Sequence, residues 1–495
     1  MSESPDSGES VRRCTLAGVR SLLAAALAVA AAGCGPVPEA GGGAPSGRPE
    51  PSGERPRDAE YRDDFNGDGY ADLAVLVGDA DAGGAEGAGK VVVVYGSADG
   101  PDPGTRQVID QGSEGVPGTP DAHDRFGDAA AVGDFDGDGY ADVAVMSAWE
   151  DYAEPEDPDL TMLWGGESGL GGGTALDGSA LPAGVEEVVS GDFDADGERD
   201  LLAYRAGGES AVLRGPFIRE GGVAGKQPLA LGSLDLQELV PGDVDGDGGT
   251  DLVVMSSFEE MGEPTGVLLS TPAGLQKADQ NLASASTGAI GDMNGDGYGD
   301  LVMREVPGGV VEDLAGDPGT LRVIYGGPDG LAGKGTAFTR DSGSIPGESN
   351  DSAGFGFRLA AGDVDGDGCA DVLATTGVEP LGGEPMGEPG GVVVLKGGPD
   401  GLTTAGSSMV DQDSAGVPGD GEDGDGFGWA MRLADFDGDD RMDLAVGAPG
   451  ENEEQGAVWA LRYTRDGAAA TGAYGPDVLG VSESEPKLGG AFARS

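Results

Sequence analysis

Seven times along this chain, a nine-residue segment sets carboxylate or amide side chains at its first, third, fifth and ninth positions. The copies are DFNGDGYAD from Asp64, DFDGDGYAD from Asp134, DFDADGERD from Asp192, DVDGDGGTD from Asp243, DMNGDGYGD from Asp292, DVDGDGCAD from Asp363 and DFDGDDRMD from Asp435. Their starts are 49 to 72 residues apart. Oxygen donors at alternate positions of a tight loop suit a hard divalent cation. Ca2+ takes about six to eight oxygens at about 2.3–2.6 Å in flexible geometry, whereas Mg2+ holds to a strict octahedron and keeps its waters. The four side chains, with the backbone carbonyl of position 7, make one Ca2+ donor set per loop, and up to seven ions are expected.

By position, the sets are Asp64, Asn66, Asp68, Tyr70 and Asp72; Asp134, Asp136, Asp138, Tyr140 and Asp142; Asp192, Asp194, Asp196, Glu198 and Asp200; and Asp243, Asp245, Asp247, Gly249 and Asp251. They continue with Asp292, Asn294, Asp296, Tyr298 and Asp300; Asp363, Asp365, Asp367, Cys369 and Asp371; and Asp435, Asp437, Asp439, Arg441 and Asp443. Position 6 is Gly in six copies, where a sharp turn favours positive φ, and Asp440 in the seventh. Ala195 replaces a Gly in the third copy. Asn66 and Asn294 each remove one charge. The loops at Asp134 and Asp363 are therefore expected to be the best sites, and the Cys369 thiol is expected to be idle.

Two other readings compete. An EF-hand shares the opening Asp pattern but needs Glu at position 12 and flanking helices. Position 12 is Val75, Val145, Ala203, Val254, Met303, Ala374 and Val446, all apolar and all inside β-rich runs. Metal-free hairpin turns also use Asp and Gly, but carboxylates crowded into seven successive loops repel one another without a cation.

The elements that position these loops repeat with them. Each loop enters an apolar strand, and a third run follows: Val91–Tyr95, Leu160–Trp164, Ser210–Arg214, Gly266–Ser270, Leu321–Tyr325, Val392–Lys396 and Ala457–Tyr463. A fourth, more variable run comes after, as in QVID from Gln107 and SMVD from Ser408. Phe-Gly precedes three loops, at Phe126-Gly127, Phe355-Gly356 and Phe427-Gly428. Four short strands repeated seven times predict an all-β, seven-bladed propeller of four-stranded antiparallel blades. The first loop has no Phe-Gly run ahead of it, while KLGGAFARS at 487–495 has no loop behind it. The C-terminal run is thus expected to supply the inner strand of the first blade and close the ring.

The order of Phe-Gly, Asp-rich loop and strand resembles the FG-GAP repeat family, which builds the N-terminal propeller of integrin α-subunits. The resemblance spans roughly residues 61–495. Gly-Ala-Pro stands clearly only at Gly447-Ala448-Pro449, and the repeats around Asp192, Asp243 and Asp292 have no Phe-Gly. It implies an extracellular binding or adhesion module in which calcium is structural. No inserted ligand-binding segment, leg region or transmembrane helix accompanies it, so an integrin-type partner subunit does not follow.

The N-terminus reads as an address. Arg12, Arg13 and Arg20 precede the apolar run Leu22–Ala32, which is too short to span a bilayer and has the form of a secretion signal. It ends Ala31-Ala32-Gly33-Cys34, similar to a bacterial lipobox, so residues 1–33 are read as a lipoprotein signal peptide and Cys34 as the lipidated residue. An ordinary cleaved signal with an incidental Cys34 is the alternative. Residues 34–58 are a Gly/Pro-rich flexible tether, and 59–495 the propeller. The expected place is the cell surface, on the outer face of the bacterial plasma membrane, with membrane contact only through that anchor.

Composition narrows the partners. A net charge of −62 from 28 basic and 90 acidic residues excludes nucleic acid and anionic membrane surfaces as natural partners. Seven calcium ions would offset under a quarter of it. Only Cys369 lies in the body, so no disulfide forms within it, and the single histidine, His123, makes a His-based catalytic or zinc site improbable. No carboxylate pair stands outside the loops in a motif of its own. The chain is read as a monomeric, non-catalytic module for an unidentified extracellular protein or glycan. A lectin-like carbohydrate binder, with Trp149, Trp164, Trp429 or Trp459 stacking on sugar, is the second reading, and a polysaccharide-active enzyme the third.

Overall fold

The computed structural model describes residues 63–495 apart from 148–158, 177–180, 183, 206–209, 232–234, 281, 315–316, 347–353, 378–388, 465–466 and 482–486. The leader, the tether, Cys34 and Trp149 lie outside the described residues. What is described is a ring of seven antiparallel sheets, a seven-bladed β-propeller.

Each blade starts where a β-branched or Ala-rich run follows a turn, and each ends in a more polar outer strand. Blade two is typical, with Ala130–Gly133, Asp142–Met146, Leu160–Leu163 and Gly173–Ala175 from axis to rim. Its three inner strands are buried along their whole length and its outermost is half-buried. That gradient reflects strands covered on both faces by neighbouring blades, so they read as apolar runs without clean alternation. The blades lacking Phe-Gly form equally: Glu187–Gly191, Asp200–Tyr204, Ser210–Arg214 and Gly225–Leu229 make blade three. Blade four adds a short fifth strand, Met261–Gly262, beside Asp251–Phe258.

The core is divided rather than central. Seven apolar clusters sit one between each pair of adjacent blades. The Phe of each Phe-Gly pair is a plug for the blade before it: Phe126 packs with Val91 and Val93, Phe355 with Leu321 and Val323, Phe427 with Val392 and Val394. Leu282 occupies the same kind of interface ahead of blade five, beside Val253 and Met255. An aliphatic side chain therefore does this work where the aromatic is missing.

The ring closes through the C-terminus. Ala491–Phe492 pairs antiparallel with Leu73–Val77, matching Val75 to Phe492 and Leu76 to Ala491. Blade one is thus Ala491–Phe492, Leu73–Val77, Lys90–Tyr95 and Asp102–Ile109. In register with blade two, Leu488-Gly489 holds the Phe-Gly place, and Leu488 is fully buried against Val458 and Ala460 of blade seven.

Candidate functional site

Six of the Asp-rich loops link the inner strand of a blade to its second strand. The first, at 64–72, leads into the second strand of blade one, whose inner strand comes from the C-terminus, so all seven gather at one end of the propeller. Their backbones are wound by their own side chains. In loop one the Asp64 carboxylate accepts from the N–H groups of Gly67 at 2.6 Å, Asp68 at 3.2 Å and Gly69 at 2.8 Å. Asn66 accepts from Asp68 N–H at 2.8 Å, and Asp68 from Tyr70 N–H at 3.1 Å. Loop five repeats this around Asp292, Asn294 and Asp296.

Two positions of the loop, not one, need the left-handed backbone. Position 4 has φ +74° at Gly67 and position 6 has φ +93° at Gly69. Ala195 at position 4 (φ 55°) and Asp440 at position 6 (φ 63°) are the two non-Gly occupants and carry the strain of that conformation.

Position 2 is a core anchor: Phe65, Phe135, Phe193, Val244, Met293, Val364 and Phe436 are all fully buried. Position 9 is a staple. Asp72 accepts Phe65 N–H at 2.8 Å on one oxygen and Gly96 N–H, at the end of the third strand, at 2.9 Å on the other. Asp142, Asp200, Asp251 and Asp300 make the same two contacts in their blades. Burial drives their carboxyls upward, and neighbouring loop carboxylates add to the rise. Asp72, Asp142 and Asp443 reach about 8, Asp200 and Asp251 about 7, Asp300 and Asp371 about 6. Such sites favour either a proton or a cation.

Five loops bring three carboxylates close enough to share an ion, with one oxygen from each lying within 4.8 Å of the others. These are Asp134, Asp136 and Asp142; Asp192, Asp194 and Asp200; Asp243, Asp245 and Asp251; Asp363, Asp365 and Asp371; and Asp435, Asp437 and Asp439. In the other two loops position 3 is an amide, Asn66 or Asn294. The position-7 residues Tyr70, Tyr140, Glu198, Gly249, Tyr298, Cys369 and Arg441 each donate their N–H to position 5, at 2.9–3.1 Å in most loops and 3.2 Å at Tyr298. The Cys369 thiol is buried and unpaired with another cysteine.

The loops are also knitted to one another. In six loops position 8 donates its N–H to the position-1 carbonyl of the preceding loop, as from Ala141 to Asp64 at 2.9 Å, Thr250 to Asp192 at 2.7 Å and Ala71 to Asp435 at 3.1 Å. Position-7 side chains lie over the position-4 residue of the loop before. A Cβ on Gly67 would sit 2.5 Å from the Tyr140 ring, one on Gly438 3.0 Å from the Tyr70 ring, and one on Gly295 3.1 Å from Cys369 Sγ. The single Ala at position 4, Ala195, faces the single Gly at position 7, Gly249. That inter-loop match is visible in the sequence once the two positions are known to meet.

Basic side chains enter several clusters. Arg214 Nη1 is 2.8 Å from Asp194, and Lys396 Nζ is 2.9 Å from Asp365 and 3.0 Å from Asp371. Arg462 contacts Asp437. Arg219, stacked 5.3 Å over the Trp164 ring, contacts Asp136 and lies 2.6 Å from Asp138. The loops at Asp134 and Asp363, the most complete as motifs, are among those so occupied, a feature no loop motif encodes.

A second feature runs along the axis. A cavity of about 1120 Å³ is lined by the inner strands of all seven blades. Away from the loops its wall carries Glu187, Glu238, Arg358, Arg494 and Trp429. Arg494 lies 3.4 Å from Glu238, and Arg358 donates to the Trp429 carbonyl at 3.2 Å. Burial raises the Glu187 carboxyl and lowers the Arg358 guanidinium. Trp164 and Trp459 are buried packing residues, whereas Trp429 is half-buried on the cavity wall.

The family model described as FG-GAP repeat matches residues 126–159, 355–395 and 427–461, so the chain carries FG-GAP repeats in three places. Those are the three blades entered by an intact Phe-Gly pair. No curated protein sequence matches the chain. Similar solved structures include a protein from Lactobacillus plantarum, at 9% identity and TM-score 0.43, covering 85% of this chain and 99% of that one. The Dos1 propeller aligns at 8% identity and TM-score 0.39 over 81% of this chain and 85% of its own. The rhamnogalacturonan lyase YesW aligns at 16% identity and TM-score 0.34 over 78% and 71%.

Proposed function

We propose that this protein is a calcium-braced propeller that serves as a non-catalytic binding module at the bacterial cell surface, exported and held there by lipid on Cys34. The observation that carries the reading is the collar of Asp-rich loops, in which three carboxylates converge in five loops and backbone hydrogen bonds tie neighbouring loops at six junctions. The donor set is all oxygen, which suits Ca2+ and not a soft transition metal. The Asp194 Oδ1 atom is buried without a hydrogen-bond partner, a state a bound cation relieves. Positions 1, 3, 5 and 9 with the position-7 carbonyl would hold the ion, and the ion would supply the charge that lets clustered carboxylates stay ionised. Where a loop bonds to its neighbour in this way, a filled loop stiffens two blades.

The ligand is read as an extracellular protein or glycan. The axial cavity favours a glycan as the second reading, because Trp429 offers a stacking face beside charged hydrogen-bonding groups. Glu187 and Glu238 on the same wall are the residues an enzyme reading would use.

Calcium titration followed by thermal unfolding tests the first claim. A chelator is expected to lower the midpoint by at least 10 °C or so, consistent with mass action on several sites, and calcium to restore it. An unchanged midpoint refutes structural calcium. Glycan and surface-protein screening of the calcium-loaded protein tests the second, and turnover of any glycan refutes the non-catalytic reading.

A further inference from the structure

The seven loops share a backbone but differ in what stands opposite their last carboxylate. In each blade, position 10 pairs with a third-strand residue: Leu73 with Val94, Val143 with Leu163, Leu201 with Leu213, Leu252 with Leu268, Leu301 with Ile324, Val372 with Leu395, Leu444 with Leu461. The residue that follows that partner stands at the loop end of the third strand. In blades three, six and seven it is Arg214, Lys396 and Arg462, and in blade four it is Leu269. Each of the three basic residues contacts position 3 of its own loop.

Lys396 goes further than the others. Its Nζ lies 2.9 Å from Asp365 Oδ2 and 3.0 Å from Asp371 Oδ2, bridging positions 3 and 9 of the same cluster. One carboxylate oxygen each of Asp363, Asp365 and Asp371 lie within 4.8 Å of one another, and the ammonium is bonded to two of these three side chains, within the cluster a shared ion would use. Arg214 reaches a single loop carboxylate and leaves Asp194 Oδ1 without a partner. Arg219 approaches its loop from the next blade with a side chain 46% exposed, and contacts positions 3 and 5 rather than position 9.

We infer that Lys396 is the resident cation of the blade-six loop, an ammonium built into the strand that replaces the metal ion there. The inference rests on the calcium reading of the other loops. Its physical ground is exclusion. Ca2+ binds carboxylate oxygens at about 2.3–2.6 Å, and an ammonium hydrogen-bonded to those same two oxygens would then be in near contact with a like charge. The lysine is held in place, because its backbone pairs with Thr403 and its stem is mostly covered. Three N–H donors match the loop's demand for positive charge without any dependence on free calcium. Blade four is the converse, with Asp243, Asp245 and Asp251 gathered and a leucine in the lysine's place.

The test counts calcium per chain by native mass spectrometry of the purified protein, dialysed against calcium chloride. Lys396→Met, which keeps the stem and removes the charge, is expected to bind one more Ca2+ than the parent. Leu269→Lys, which places an ammonium in blade four, is expected to bind one fewer. An unchanged count in a cooperatively melting Lys396→Met protein overturns the inference. Should that variant not fold, an unchanged count in Leu269→Lys overturns it instead. A parent chain that binds no calcium refutes the functional reading separately, and a calcium gained by Lys396→Met would still uphold the role of the lysine.

Discussion

Removing residues 487–495 tests how the ring is closed, and its cost follows from the side chains the segment buries and the hydrogen bonds it makes. Leu488 is fully buried between blades one and seven, and Phe492 is 6% exposed in the same cluster. Deleting a side chain of either size from a core costs about 3 kcal/mol. The segment also gives Ala493 N–H to Ala74 O at 3.0 Å, Arg494 N–H to Ala130 O at 3.2 Å, and Arg494 O to Val132 N–H at 2.7 Å. At about 1 kcal/mol each, with the two side chains, the loss is on the order of 10 kcal/mol. Whole domains are typically stable by about 5–15 kcal/mol, so the truncated chain should lose its native cooperative transition. The uncovered edge, Leu73–Val77, is apolar throughout and should drive association. Thermal unfolding by circular dichroism, with light scattering in parallel, is the assay. Leu488→Ala alone should cost about 2–5 kcal/mol without abolishing folding. A truncated protein melting within 2 °C or so of the parent would refute ring closure as a source of stability, since even 1 kcal/mol shifts a midpoint by a few degrees.

Other outcomes follow from the loops. In the metal-free protein the position-9 carboxyls titrate at about 6 to 8 in the fold, against 3.8 ordinarily. The folded state then binds more protons than the unfolded chain, so this contribution is full below about pH 4 and is lost as pH rises through 6 to 8. Chelated protein should therefore melt lower at pH 8.5 than at pH 5.5, and calcium-loaded protein should not; a flat chelated profile would count against buried, protonated staples. Ala195→Gly should raise the melting temperature by relieving a left-handed alanine worth about 1 kcal/mol. Gly67→Ala should lower it by more, because its Cβ would meet the Tyr140 ring at 2.5 Å in a backbone with φ +74°. Equal and small effects of both substitutions would refute the inter-loop packing.

The repeat was legible because both its signals are local: donor spacing within nine residues, and apolar runs that follow at once. Blade closure was also legible, since the run around Leu488-Gly489 resembles an inner strand lacking its loop. The blades around Asp192, Asp243 and Asp292 were harder, because a buried apolar plug ahead of the inner strand needs only volume, as Leu282 shows, and leaves no motif. The basic residues inside the clusters were hidden for another reason. Lys396 lies 25 residues from Asp371 in the chain and meets it only across a β ladder, and Arg219 reaches Asp136 from another blade. Charge placed by sheet register has no signature in the loop itself. Likewise, position 9 read as a ligand like the rest, while in five blades the fold shows it tied into the ladder by two backbone N–H groups.

The collar of loops has a consequence for how the molecule comes apart. In a linear array of repeats each unit leans on its neighbours, and the terminal units fray first. Here loop one packs on loop seven as loop two packs on loop one, through Tyr70 over Gly438 and Tyr140 over Gly67. A closed circuit of nearest-neighbour contacts has no terminal unit at which melting can start. Losing any one loop breaks two couplings at once and turns the circle into an open chain, so unfolding should proceed as a single event rather than blade by blade.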